Sequence, residues 1–239
     1  MTRTHIATRG DSLVATTTLA PTNVASRNSF ALTAASSHHR PMESPPEHLV
    51  HKNVELRRWR ETDAELCFRL VNESVEHLRP WMPWATPDYG LADAADYVRR
   101  CEAEWAAGTA FQYLIVADSV SAGSSPSGSV PTGSAPAGSV PAGSAGLMAR
   151  IGPGGLEIGY WVHPASTGRG VATAAAAALT EAALALPGID HAEIHHDQLN
   201  VASGRVPAKL GYAHVETREH RFELAPGDSG KTEIWRITR

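Results

Sequence analysis

The chain has 239 residues, a formal net charge of −4 and 42% hydrophobic residues, enough for one modest domain plus unstructured segments. This mildly acidic balance lacks the basic footprint of a dedicated nucleic-acid binder, and no apolar run is long enough to span a membrane. The two cysteines, Cys67 and Cys101, show neither metal-ligand nor redox spacing and read as buried thiols in a reducing, cytoplasmic compartment.

Residues 1–46 are rich in Ser, Thr and Ala and carry no sustained period, so a disordered extension is expected there, with the folded domain over 47–239. Arg3, Arg9, Arg27 and Arg40 among hydroxyl residues faintly suggest a transit peptide. Translation from Met42, just ahead of the first periodic segment, is the expectation we prefer. VELRRW (54–59) then reads as a strand. Thr62 and Glu65 form a capping box for a helix whose inner face is Leu66, Cys67, Leu70 and Val71. LRPWMPWATP (78–87) is held out of helix by three prolines and places Trp81 and Trp84 in a loop. Such rings either cover the core or line a ligand pocket. A second helix over 92–107 repeats Ala94, Val98, Cys101 and Trp105 at helical spacing and stops at Gly108. AFQYLIVA (110–117) is a strand.

Residues 119–145 form an imperfect Gly-Ser-x-Pro repeat with almost no charge. A flexible insertion at a hairpin tip is expected, with the next strand at 146–151. From Gly155 the chain reads GLEIGYWVHPASTGRGVATAAAAA. Leu156, Ile158, Tyr160 and Val162 alternate with Glu157, Gly159, Trp161 and His163 as a strand ended by Pro164. A small-residue turn and an alanine-rich helix follow, ending at Pro187-Gly188. Strand, glycine turn and helix aim backbone N–H groups and the positive end of a helix dipole at a phosphate. AEIHHD (192–197) is a further strand, and the strand–helix–strand order makes a right-handed parallel unit. Asn200 starts a short helix in which Pro207 removes the bond to the carbonyl of Ser203, so a kink or irregular turn is expected. Strands at 212–224 and 232–237 close the chain.

Two motifs lead elsewhere. APGDSGKT (225–232) satisfies a relaxed phosphate-loop pattern, but IWRI after it reads as strand rather than the helix such a loop needs. A hairpin connection is expected. His191 and His195 share a strand face with Glu193 while His196 points away. A metal site needs three or four converging ligands, so packed or solvated side chains are expected and no metal.

Four pieces, LRPWMPWA (78–85), EIGYWVHP (157–164), TGRGVAT (167–173) and the Asn200/Ser203 pair followed by KLGY (209–212), appear in order. With them the chain resembles the GCN5-related N-acetyltransferases (GNAT), and within them the RimJ/RimL branch, over roughly 54–237 apart from the insertion. The resemblance implies a GNAT-type α/β (α+β) fold, a mixed, mostly antiparallel sheet with the parallel βαβ unit at the acyl-CoA site. It implies an N-acetyltransferase that moves an acetyl group from acetyl-CoA to a primary amine, a protein N-terminal α-amine or a small amine, by direct attack. The family's pyrophosphate signature falls on Thr167, Gly168, Arg169, Gly170, Val171 and Ala172, with Thr173 next. Its first position is here Thr instead of Gln or Arg. The pantetheine arm is implied to pair with the main chain of Trp161, Val162 and His163 and with Asn200. Glu157 matches the family's strand glutamate base, and Ser203 a hydroxyl serving the leaving thiolate. The relatives' tyrosine acid is replaced by Pro207. Trp81, Trp84 and Tyr160 are expected to shape the acceptor pocket, in a monomer or homodimer. Transfer of another acyl group such as succinyl, or an idle acyl-CoA-binding module, are the alternatives.

Overall fold

The computed structural model describes residues 42–118, 138–220 and 223–239. Residues 1–41 of the expected extension and 119–137 of the expected insertion lie outside them. Eight strands form one sheet in the order β1-β2-β3-β4-β5-β6-β8-β7, where β1 is His48–His51, β2 Val54–Arg58, β3 Ala110–Asp118, β4 Ser139–Met148, β5 Gly155–Val162, β6 His191–Asp197, β7 Ala213–Glu219 and β8 Lys231–Thr238. All neighbours are antiparallel except β5 and β6, which are parallel. The crossover between them is α4, Val171–Ala185.

Helices cover both faces. α1 (Ala64–Asn72), α2 (Val75–Leu78) and α3 (Leu91–Ala107) pack Cys67, Leu70, Val71, Leu78, Val98 and Cys101 against Leu114, Val116 and Trp161 of the sheet. The opposite face packs Ala174, Ala175, Ala178 and Leu179 of α4 against Phe111, Leu147, Ile158, Tyr160 and Ile194. The alanines let the helix lie close on the strands. α3 ends as its sequence dictates, with Gly108 in the left-handed region at φ 68°.

Several expectations are corrected. α1 follows a 3-10 turn, and the reciprocal cap is Asp63, whose carboxylate accepts from the Arg60 N–H at 2.9 Å, not Glu65 onto Thr62. Leu66 is only half-buried. Residues 42–46 pack on the domain: Pro45 is buried, Met42 lies against Gly108, and the Tyr113 hydroxyl donates to the Pro46 carbonyl at 2.8 Å. The largest change is β4, which starts at Ser139, so residues 139–145 are a central strand, not the end of a loop. Its small residues are demanded by its neighbours. A Cβ at Gly146 would collide with the Gln112 amide, and one at Gly143 with the Trp161 carbonyl.

Candidate active site

The parallel ladder joins Gly155 to His191, Leu156 to Ala192, Glu157 to Glu193 and Ile158 to Ile194, and pairs no further. β5 continues to Val162 and β6 to Asp197, so beyond Ile158 the two strands splay. β5 leads through His163 and a 3-10 turn (Pro164–Ser166) into Thr167, Gly168, Arg169 and Gly170, then the first turn of α4. Gly168 (φ 71°) and Gly170 (φ 76°) are left-handed, and a Cβ at either would meet nothing within 4 Å. They are therefore required for conformation and leave open approach to the main chain. Gly170 caps α4 without a side-chain bond, so the amides of Val171, Ala172 and Thr173 form an anion-attracting helix terminus. The Thr167 hydroxyl donates to the Pro164 carbonyl at 2.8 Å and closes the turn. Arg169 reaches the Asp118 carbonyl at the end of β3 at 2.6 Å. The Ala165 N–H donates to His163 Nδ1 at 3.2 Å, which leaves His163 Nε2 to donate to Glu73 at 3.1 Å.

On the far side of the opening stands α5, Val201–Lys209. Asn200 is its N-cap, accepting from the Ser203 N–H at 3.1 Å, so the cap is Asn200 and not Ser203. Ser203 is fully buried. The carbonyl that Pro207 deprives of its helical donor is taken up by the Tyr160 hydroxyl at 3.2 Å, which also lies 3.3 Å from Ser203 Oγ. Burial keeps the Tyr160 phenol protonated, well above its usual range. The Tyr160 hydroxyl is therefore directed to the α5 side.

Those two tryptophans stand on the α1–α3 face. Trp84 packs 5.9 Å from Tyr89 and 6.5 Å from Trp161, ring centre to ring centre, and the indole Nε1 atoms of Trp81 and Trp84 are buried with no partner among the described residues. Trp84, Tyr89, Tyr97 and Trp161, with Asp93 and Arg100, line a pocket. A smaller recess beside it is lined by Met82, Gln112, Ser144, Gly159, Tyr160 and Trp161. The register explains its floor: Gln112 faces Gly146, and Gly146 faces Gly159, so two side-chain-free positions lie between Gln112 and the splay. Gln112 is 2% exposed and its Nε2 has no partner among the described residues. Reading the sequence alone missed it, although a lone amide inside AFQYLIVA was the signal. The 225–230 connection, which the sequence suggested to be a hairpin loop, joins β7 to β8 and reaches over: the Gly227 N–H donates to the Pro80 carbonyl at 2.8 Å.

Glu157 is 3% exposed. Both its oxygens are held by Arg150, with Nε at 2.7 Å and Nη2 at 2.8 Å. His195 stands between two carboxylates, donating from Nε2 to Glu193 at 2.6 Å with Nδ1 3.6 Å from Glu157 Oε2. Arg236 Nε closes the row on Glu193 at 2.8 Å. Burial raises the Glu193 carboxyl, but the hydrogen bonds from His195 and Arg236 outweigh it and hold the group below its usual value. Arg150 and Arg236 are thus site-adjacent groups that the sequence did not single out, and His195, weighed there only as a metal ligand, joins them. Among the described residues no group of three or more His, Cys, Asp or Glu side chains could hold a metal ion. Burial pushes the Cys67 thiol up to about 11 and the Cys101 thiol to about 12, so neither supplies a thiolate nucleophile at neutral pH.

The acetyltransferase (GNAT) domain family matches residues 53–213. The chain belongs to this family. As a GNAT acetyltransferase it shares its fold with RimL, a ribosomal L7/L12 alpha-N-protein acetyltransferase solved in complex with coenzyme A. That likeness has a TM-score of 0.65 at 19% identity and covers 80% of this chain and 98% of that one. RimJ of Mycobacterium smegmatis, in complex with CoA-disulfide, gives 0.63 at 20% identity over 82% and 90%. The microcin C7 self-immunity acetyltransferase MccE, in complex with acetyl-CoA and AMP, gives 0.64 at 16% over 79% and 93%. No curated protein sequence matches this acetyltransferase, and no helix among its described residues is long and apolar enough to cross a membrane.

Proposed function

We propose that the chain transfers an acetyl group from acetyl-CoA directly to a primary amine, an N-terminal α-amine of a protein or a small amine. The observation that carries this reading is the opening between β5 and β6, which ends at two left-handed glycines and the uncapped N-terminus of α4. A pyrophosphate fits the amides from Thr167 to Thr173, and a pantetheine arm the β6-facing edge of Trp161 to His163, which β4 pairs only from the other side, with Asn200 beside it. The acceptor approaches over Trp81 and Trp84. RimL, an alpha-N-protein acetyltransferase of like fold, supports an α-amine acceptor.

The chemistry needs three groups. The amine must lose a proton before it attacks the thioester, and Glu157 serves as the base. The carbonyl oxygen gains charge as the C–N bond forms, and a β5 main-chain N–H stabilises it. The C–S bond then breaks, and Ser203, oriented by Tyr160, meets the departing sulfur. Gly170→Trp tests the cofactor assignment. A side chain there meets open space, so the cost to the fold is the left-handed strain, about 1–2 kcal/mol. Calorimetry should find the variant folded and unable to bind acetyl-CoA. Unchanged affinity would overturn the proposal.

A further inference from the structure

Glu157 is a poor resting place for a proton. Its two oxygens already accept a bidentate pair from Arg150, so a proton taken there competes with that pair. An efficient base has a proton affinity near that of the working pH, which an imidazole offers. One stands beside it. His195 Nδ1 is 3.6 Å from Glu157 Oε2, and the ring is held from behind because Nε2 donates to Glu193 at 2.6 Å. All three side chains are buried. The placement follows from register: Glu157 pairs with Glu193, Glu193 with Arg236, and His195 follows two residues on along the same face, at the first unpaired position of the opening.

Resting on the proposed function, we propose that Glu157 passes the amine's proton to Nδ1 of His195, so that the base is a carboxylate–imidazole pair and Glu193 is the residue that positions the ring. An ammonium acceptor gives one proton to Glu157 Oε2, which hands it to His195 Nδ1 and is again a carboxylate. The free amine attacks and the C–N bond forms. As the C–S bond breaks, the second nitrogen proton passes to the departing sulfur. The imidazolium, flanked by Glu157 and Glu193, returns its proton to water when product leaves. The charged groups that set this balance are Glu157 on β5, Glu193 and Asp197 on β6, Arg236 on β8 and Arg150 after β4, with Glu104 of α3 acting on Arg150.

The test is a pH titration of the full chain labelled in its histidine rings, followed by NMR, with the His195 signal identified by its loss in His195→Gln. Glu193→Gln should lower the His195 midpoint, and Arg236→Gln should raise it. Opposite signs are not produced by loosened structure. A midpoint that neither variant moves, or that both move the same way, overturns the pair. In parallel, thiol release from acetyl-CoA is followed with a panel of free-amine tripeptides. The acid limb of kcat/KM should move with the NMR midpoint in each variant, and His195→Gln should lose about 100-fold in kcat at unchanged KM for acetyl-CoA. An acid limb that stays put in Glu193→Gln leaves Glu157 acting alone and overturns the proposal. A wild-type chain that binds acetyl-CoA but acetylates none of the panel overturns the proposed function and with it the catalytic role. The titration judges the His195–Glu193 coupling independently of that result.

Discussion

His195 and His196 are adjacent, yet the strand turns them to opposite faces and into opposite chemistry. His196 Nε2 accepts from the Trp235 indole at 3.1 Å, which assigns the ring proton to Nδ1, donated to the Asp197 carbonyl at 2.8 Å. Burial holds this imidazole below its usual value, against the pull of Asp197 and Glu233. An unfolded histidine titrates near about 6.5, so the folded state here prefers the neutral ring. That preference is fully present above this value and is lost as pH falls from it through the folded one. The urea midpoint should therefore decline between pH 7.5 and 5.5, and His196→Gln should flatten the decline over that range. An equal slope in both proteins would remove His196 as its source. Glu193 acts in a lower window, since its depressed carboxyl withdraws stability only as pH falls below the ordinary carboxylate range.

Strand β4 shows what neighbours impose on a sequence without strand propensity. Gly, Ser, Ala and Pro dominate residues 139–146, and nothing in that composition distinguishes them from the repeat before them. They pair because β3 and β5 each present a long apolar edge, and they are small because Gln112 and the Trp161 backbone lie against them. Ser144, one more serine in a Gly-Ser unit, is a buried hub. Its hydroxyl accepts from the Trp59 indole at 3.0 Å and from Tyr97 at 3.1 Å, and donates to the Tyr113 carbonyl at 3.0 Å. Ser144→Ala strands two buried donors and a carbonyl, a loss of about 1–3 kcal/mol that denaturant unfolding should register; a change near zero would mean that these groups find other partners. The parts legible in the sequence were those with local causes: α3 between its spacing and Gly108, the glycine turn before α4, the parallel crossover from element order. The proton-carrying row was not legible. EIHHD shows alternation, but only the pairing of Glu157 with Glu193 and of Glu193 with Arg236 turns it into a row of alternating charge, and register is set by the whole sheet. The bond of the Tyr160 hydroxyl was not legible for a similar reason, because its partner is a carbonyl that Pro207 frees 43 residues away.

At the scale of the molecule, strands β1 to β5 form an unbroken antiparallel series, and β6, β8 and β7 a second group. Within the sheet these halves are sewn together by four residue pairs, all at one end of the seam. The other end is bridged by α4 and α5 on one face, and on the other the 225–230 connection bonds the Pro80 carbonyl through Gly227. A molecule that lay along the open seam would act as the missing stitches, and its binding energy would appear as resistance to parting. At a hundredfold excess over Kd such a ligand adds about 2.7 kcal/mol. In hydrogen exchange the amides of 159–162 and 195–197 should be the ones slowed by acetyl-CoA, while those of 155–158 change little. The C-terminal group of strands joins the rest of the sheet through this short ladder, so the cofactor, besides reacting, would help to decide how long the two halves stay together.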